Sequence, residues 1–355
     1  MHDDIEHLQA EAVELLKQLI KTPSLSREEQ QTGDLIEHFL QQKGVATQRL
    51  KNNIWCRNQW FDASKPTILL NSHHDTVKPN KGYTRDPFTP EIVDGKLYGL
   101  GSNDAGGCLV ALLSAFLYFH DKKGLKYNIV FAASAEEEIG GKNGMEYLFP
   151  TLGEIDFAVV GEPTEMDVAI AEKGLMVLDC TAYGRSGHAA RDEGENAIYN
   201  ALKDIKWFNT YQFDEVSDTL GPVKMSVTMV EAGTQHNVVP DRCHYVVDVR
   251  TTEKYSNKAT LDIIQLNVSS EMVPRSTRLN PSGIPESHPF VQAAVKMGAN
   301  TYGSPTLSDQ ALIPVTSLKM GPGKSARSHT PDEYIYVLEI TEGISRYIEI
   351  LNQLV

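Results

Sequence analysis

The chain has 355 residues, 41% of them apolar, with 33 Lys and Arg against 47 Asp and Glu, a formal net charge of −14. That length allows two domains of ordinary size, and the apolar share is that of a globular protein. An acidic surface repels phosphate backbones and anionic lipid, which argues against nucleic-acid and membrane partners and leaves small zwitterionic or cationic molecules open.

The first residues, Met1-His2-Asp3-Asp4-Ile5-Glu6, are acidic and lack a basic segment followed by an apolar one. A secretory signal is therefore not expected, and a cytoplasmic location is. Ile5, Leu8, Ala12, Leu15, Leu16 and Leu19 recur at helical spacing and predict an opening amphipathic helix. Ser26-Arg27-Glu28-Glu29 has the form of a capping box and predicts a second helix, with Leu35, Ile36, Phe39 and Leu40 as its buried stripe. The runs 67–71, 128–133 and 157–160 are apolar without alternation, as in strands covered on both faces. The apolar stretch Cys108 to Phe119, interrupted by Ser114, is too short to cross a bilayer and reads as a buried helix. Strand, helix, strand, helix, strand predicts an α/β fold with a doubly wound, mainly parallel sheet.

The pattern changes after Gly174. Strand-like runs at 177–183, 223–230 and 244–249 enclose a helix at about 196–211, and a polar helical stretch covers 259–266. Met225-Ser226-Val227-Thr228-Met229 alternates, as in a sheet with two unlike faces. We therefore expect an inserted α+β domain at 176–286, with 1–175 and 287–355 forming the other domain. The second part of that domain is expected to contain a helix at 289–302, a run at 314–320 and a last helix at 332–351. Cys56, Cys108, Cys180 and Cys243 are widely spaced and form no CxxC pair, which predicts buried reduced thiols rather than a metal cluster.

Acidic and imidazole side chains gather where the buried runs end. In the extended segment Ser72–Val77, His73 and Asp75 share a side, so Asp75 can hydrogen-bond the imidazole nitrogen that a metal leaves free. His74 points the other way. The turn Gly99–Gly107 lacks the Gly-Lys-Ser/Thr of a phosphate loop, so its Asp104 is either a helix cap or a carboxylate bridging two metals. Glu136-Glu137-Glu138 is either a solvated acidic turn or a place where one acid binds metal and another moves a proton. Glu162 ends the third buried run, and His329 follows Gly321-Pro322-Gly323. Mixed imidazole and carboxylate donors suit zinc or another divalent first-row metal.

In order, these segments resemble the M20 family of dinuclear zinc exopeptidases and deacylases. The shared pattern is His-x-Asp, Gly-x-Gly-x-x-Asp, Asp/Glu-Glu-Glu-x-Gly, a Gly-Glu-Pro-Thr-like site and a late His after Gly-Pro-Gly. The resemblance implies that His73, Asp104 and Glu162 hold one metal and that Asp104, Glu138 and His329 hold a second. It makes Glu137 the general acid and base, with Asp75 supporting His73. The two metals would be Zn2+, with Co2+ also suited. The inserted region would be a ferredoxin-like lid that also forms a homodimer.

Within that lid, Gly184–Ala190 matches the stretch whose His reaches another subunit's site, which implies that His188 stabilises an oxyanion. Asn237 and Arg250 lie in stretches matching those that bind substrate. Leu100 and Ala105-Gly106 depart from frequent residues of the family without removing a ligand. The length and Gly-Glu-Pro-Thr are most similar to the acetylornithine deacetylase and succinyl-diaminopimelate desuccinylase branch. The implied reaction is removal of an Nα-acetyl or Nα-succinyl group from an amino acid, acylornithine of arginine biosynthesis first. A dipeptidase or aminoacylase would use the same ligands, and a catalytically silent binding protein could keep the same fold.

Overall fold

Three short runs without polar alternation form the centre of a mainly parallel sheet. In the computed structural model, which describes residues 2–191 and 193–355, they are the strands Thr67–His73, Asn128–Ser134 and Phe157–Val160. All residues of the three are buried. Six strands of the sheet run in the order Thr47–Leu50, Asn53–Arg57, Asn128–Ser134, Thr67–His73, Phe157–Val160 and Ser317–Lys319. The last four are mutually parallel, and the first two form an antiparallel hairpin at the edge.

Alternate residues of one strand serve two cores, as a pleated strand dictates. Ile68 and Leu70 pack with helices His2–Lys21, Gly107–His120 and Val337–Leu354, while Leu69 packs with Met145, Leu148 and Leu152 on the other face. The helix Gly107–His120 is buried on most of its circumference, which explains why its sequence is apolar all round.

The chain divides into two compact units. One comprises the chain up to Ile170, Gly283–Tyr302 and Ser308–Val355; the other comprises Ala171–Ser282 and Gly303–Leu307. The second unit follows the alternating rule. Its antiparallel sheet has the order Lys224–Ala232, Arg242–Thr251, Gly174–Tyr183 and Glu271–Pro274. Met176, Leu178, Cys180 and Ala182 face a core shared with Tyr245, Val247 and Val249. The helices Ala197–Thr210 and Asn257–Asn267 supply Ala201, Phe208, Leu261 and Ile264 to it. Asn196 caps the first of these helices by accepting from Ile198 N, and Ser256 caps the second by accepting from Ala259 N.

Three local expectations change. The second helix is Gln30–Gln42, and Glu29 makes no side-chain cap. Its carboxylate turns inward instead, fully buried, and accepts from Arg27 N, Asn52 Nδ2 and Glu136 N. The helix expected at 289–302 is Pro289–Lys296; Gly298 takes φ 90° and the chain continues as the strand Thr301–Ser304. The last helix begins at Val337, because Tyr334–Tyr336 pairs antiparallel with Lys96–Tyr98. Aromatic residues favour such a pleated surface. All four cysteines are buried free thiols.

Phe131 is fully buried and packs 5.9 Å from Phe116, ring to ring. Phe131→Ala should destabilise the first unit by about 3–5 kcal/mol, whereas truncating the exposed Leu338 should change stability by about 0.5 kcal/mol or less. Denaturant unfolding followed by circular dichroism measures both.

Candidate metal centre

Parallel strands deliver their C-terminal ends to one edge of the sheet, where an α/β fold places its ligands. His73 is the last residue of its strand and is in register with Ser134, the last of the next. Glu137 and Glu138 lie in a short turn after that neighbour, and Glu162 follows the strand Phe157–Val160. Asp104 arrives from the turn ahead of helix Gly107–His120, and His329 from the segment before the last helix.

These six side chains converge. His73 Nε2 lies 3.3 Å from Asp104 Oδ1, 3.8 Å from Glu162 Oε1 and 3.9 Å from Glu137 Oε2. His329 Nε2 lies 2.9 Å from Glu138 Oε2 and 3.5 Å from Asp104 Oδ2. Asp104 thus turns one carboxylate oxygen toward each imidazole. Asp104 does not cap the helix with its side chain, and its φ of −118° and ψ of 98° interrupt the helical turn. The Asp104–Ala105 peptide bond is cis.

Asp75 lies beneath the cluster. The Nδ1–H of His73 donates to the Asp75 main-chain carbonyl at 3.0 Å, with the Asp75 carboxylate farther away at 3.5 Å. The carboxylate itself accepts from Ser26 Oγ at 2.6 Å, Glu137 N at 3.0 Å and Glu138 N at 3.2 Å. It therefore fixes the turn carrying the two glutamates as well as the strand end carrying His73.

The electrostatics show what the cluster lacks by itself. Burial pushes the Glu137 carboxyl well above its ordinary range, and Glu162, Asp309 and Glu138 push it further, against the pull of His73. Burial and Asp104 raise Glu162 to about 8, with Lys319 and His73 opposing. Burial also raises Glu138. The hydrogen bond that His329 donates to Glu138 lifts its imidazole to about 9. Burial opposes charge on His73, yet Asp104, Asp75 and Glu137 hold it well above the ordinary imidazole value. The carboxylates demand positive charge at their centre, either as protons or as a cation. Two groups have donor atoms all within 4.8 Å of one another: His73, Asp104 and Glu138; and His73, Glu137 and Glu162. The nitrogen and oxygen donors fit a divalent first-row metal.

Four supporting residues were not picked out as functional from sequence. Ser26 Oγ donates to the Asp75 carboxylate, and Glu29 accepts from Glu136 N. Asp309 accepts from Ser134 Oγ and is raised to about 6 by burial. Glu333 accepts from N–H groups of the turn that carries Asp104. Each is distant in sequence from what it holds; Glu333 alone carried a signal, being an acid four residues after His329.

His188, Asn237 and Arg250 belong to the second unit. Pairing of Gly187–His188 with Val238–Val239 sets His188 beside Asn237, whose carbonyl accepts from Ala189 N at 3.0 Å. His188 is exposed, and its Nδ1 accepts from Ala190 N. Arg250 forms a two-pronged pair with Asp248, at 2.8 and 3.1 Å.

Comparison with known proteins agrees with this geometry. The profile of peptidase family M20/M25/M40 matches residues 69–353. A succinyl-diaminopimelate desuccinylase 2 of Ruegeria sp. (strain TM1040) is 27% identical over 70% of this chain and 67% of its own length. An acetylornithine deacetylase of Proteus mirabilis (strain HI4320) is 27% identical over 91% of each chain. A dinuclear metal binding peptidase of Bacillus subtilis superposes with a TM-score of 0.72 over 98% of both chains; at 16% identity that likeness is one of fold.

Divalent cations that bind this cluster should stabilise the folded chain. At a free Zn2+ or Co2+ concentration 100 times the dissociation constant, the gain should be about 2.7 kcal/mol. It is read as a rise in melting temperature that a chelator reverses; an unchanged melting curve would contradict the metal-centre reading.

Proposed function

We propose a reaction from one premise: the chain belongs to peptidase family M20/M25/M40. It is an amide-bond hydrolase, and its family includes dinuclear metal-binding peptidases. The reaction we propose is removal of an Nα-acyl group, acetyl or succinyl, from an amino acid. Acylornithine is the first candidate, supported by the acetylornithine deacetylase of Proteus mirabilis, and succinyl-diaminopimelate is equally supported, by the desuccinylase of Ruegeria. The observation that carries this reading is the placement of Asp104, with one oxygen toward His73 and the other toward His329. That is the arrangement a carboxylate shared by two cations needs.

One cation would be held by His73, Asp104 and Glu162, the other by Asp104, Glu138 and His329. Bound there, two Zn2+ or Co2+ ions would polarise the amide carbonyl and lower the pKa of an attacking water. Glu137 takes the water's proton during attack and returns it to the departing α-amine. Asp75 holds Nδ1–H of His73 through its carbonyl and the Glu137–Glu138 turn through its carboxylate. In the second unit, His188 would stabilise the oxyanion, Asn237 would assist it, and Arg250 would bind the substrate's α-carboxylate. The exchange of Asp248 for that carboxylate keeps the guanidinium paired in both states. Four reduced thiols favour a cytoplasmic location.

A homodimer formed through the second unit is part of the same proposal. The strand Lys224–Ala232 is a sheet edge and is largely exposed, with Met229 and Val230 each 53% accessible. Tyr199 and Leu202 of the helix Ala197–Thr210 are also exposed. An apolar, unpaired edge of this kind is a template for strand pairing with a second copy. Sedimentation should show a dimer, and Met229→Lys with Val230→Lys should give monomers; a wild-type monomer would remove this part of the proposal.

The reaction is tested by offering zinc- or cobalt-loaded protein Nα-acetylornithine, Nα-succinylornithine, N-succinyl-diaminopimelate, acetyl amino acids and dipeptides, with chelated protein as blank. Metal-dependent release of the free amino acid is expected. Glu137→Gln should lower kcat by about 10²–10⁴ while metal still binds. Full turnover in that variant, or activity on dipeptides alone, would overturn the assignment.

A further inference from the structure

The Glu333 side chain is buried, 1% exposed, and has no part in the reaction above. It faces the backbone of the Gly-rich turn. Asn103 N donates to its carboxylate at 2.8 Å, Asp104 N at 2.9 Å and Gly101 N at 3.2 Å. Gly99 N donates to the Glu333 main-chain carbonyl at 3.0 Å. A buried carboxyl group accepting several N–H groups is a strong directional anchor, because the bonds are stronger in a low-dielectric interior and water does not compete.

The turn needs an anchor because it is not a regular element. Gly101 has φ 72°, and a Cβ there would come within 2.5 Å of Thr76 Cγ2. Asp104 leaves helical geometry altogether. Asn103 secures the turn from another direction, exchanging hydrogen bonds with the Lys324 backbone at 3.0 and 3.1 Å. Among the described residues, Glu333 is the one whose side chain hydrogen-bonds the Asp104 main chain, at 2.9 Å.

We propose that Glu333 is a positioning residue for Asp104. Its carboxylate fixes the turn 101–104 so that Asp104 presents Oδ1 to His73 and Oδ2 to His329. The arrangement is economical in chain length. His329 lies four residues upstream, so one segment carries both a candidate ligand and the anchor of another. Between them Asp332 accepts from Thr84 N and Arg85 N, each at 2.9 Å, joining a third loop to the same segment. The proposal rests on the two-metal reading of the site and adds a residue that touches neither metal nor substrate.

Glu333→Gln keeps the shape but replaces one acceptor by an NH2 group that must face N–H donors. Glu333→Asp keeps the carboxyl group on a shorter stem. Full-length wild type and both variants, freed of metal by chelation, are titrated with Co2+ by calorimetry and visible absorption. Their metal-free melting temperatures are recorded alongside. Glu333→Gln should bind Co2+ about 10–100-fold more weakly, with an altered absorption envelope and a melting temperature close to wild type. Glu333→Asp should recover part of the affinity. On any acyl substrate that the wild type cleaves, kcat should fall with KM little changed.

Wild-type Co2+ affinity and spectrum in Glu333→Gln would overturn the proposal. So would a loss seen only with a collapsed melting temperature and no recovery in Glu333→Asp. If wild type binds two Co2+ ions but cleaves none of the acyl substrates, the deacylase reading fails and the anchor is still judged by the titration. If wild type binds no Co2+, both fail.

Discussion

Crowding of negative charge is the constraint on which the site depends. Asp104, Glu137, Glu138 and Glu162 converge on His73 in a largely buried pocket, where each disfavours ionisation of the others. Such a group stays in place only if its members are held by something other than mutual attraction. The holding is done by backbone N–H groups donating to carboxylates behind the cluster. Asp75 takes those of Glu137 and Glu138, Glu29 takes that of Glu136, and Glu333 takes those of Gly101, Asn103 and Asp104. These backbone donors orient the front carboxylates, as a preorganised metal site requires.

The sheet makes that crowding possible. Parallel strands end at a common edge, so three segments far apart in sequence bring their acids to one place without long loops. The buried helix Gly107–His120 starts directly after the Asp104 turn, and its N-terminal partial charge favours an acid there. Its apolar circumference and the fully buried strands supply the rigidity, since a packed core does not deform to relieve charge repulsion.

The second unit obeys other physics. Its strand Gly174–Tyr183 alternates throughout and Arg242–Thr251 for most of its length, one face being covered by two helices and the other carrying polar residues such as Asp179, His244, Asp248 and Arg250. That uncovered face carries Arg250, and a two-residue strand pair carries His188 beside Asn237. A largely exposed edge strand and a face rich in charge set this unit apart from the first, whose strand ends hold a cluster.

Periodicity was enough to read the long elements. Runs without alternation marked the covered strands, and 3.6-residue spacing marked the first helix, because those patterns follow directly from which faces are buried. Motif order was enough to name the residues that meet around His73: His73, Glu137, Glu138 and Glu162 lie at or just after the end of a buried strand, and Asp104 lies in a Gly-rich turn ahead of a buried helix. Short elements escaped. Tyr334–Tyr336 reads as part of a helix until its partner Lys96–Tyr98 is known, and Glu29 reads as a cap until the cavity that buries it is known. The roles of Glu333, Asp309 and Ser26 were likewise hidden, because a hydrogen bond between residues more than a hundred positions apart, or 49 in the case of Ser26 and Asp75, leaves no local trace. By itself the sequence determined the fold class and the side chains that crowd together, through burial pattern and position at strand ends. Only the tertiary structure decided how those side chains are oriented, because orientation depends on backbone donors that folding brings from elsewhere in the chain.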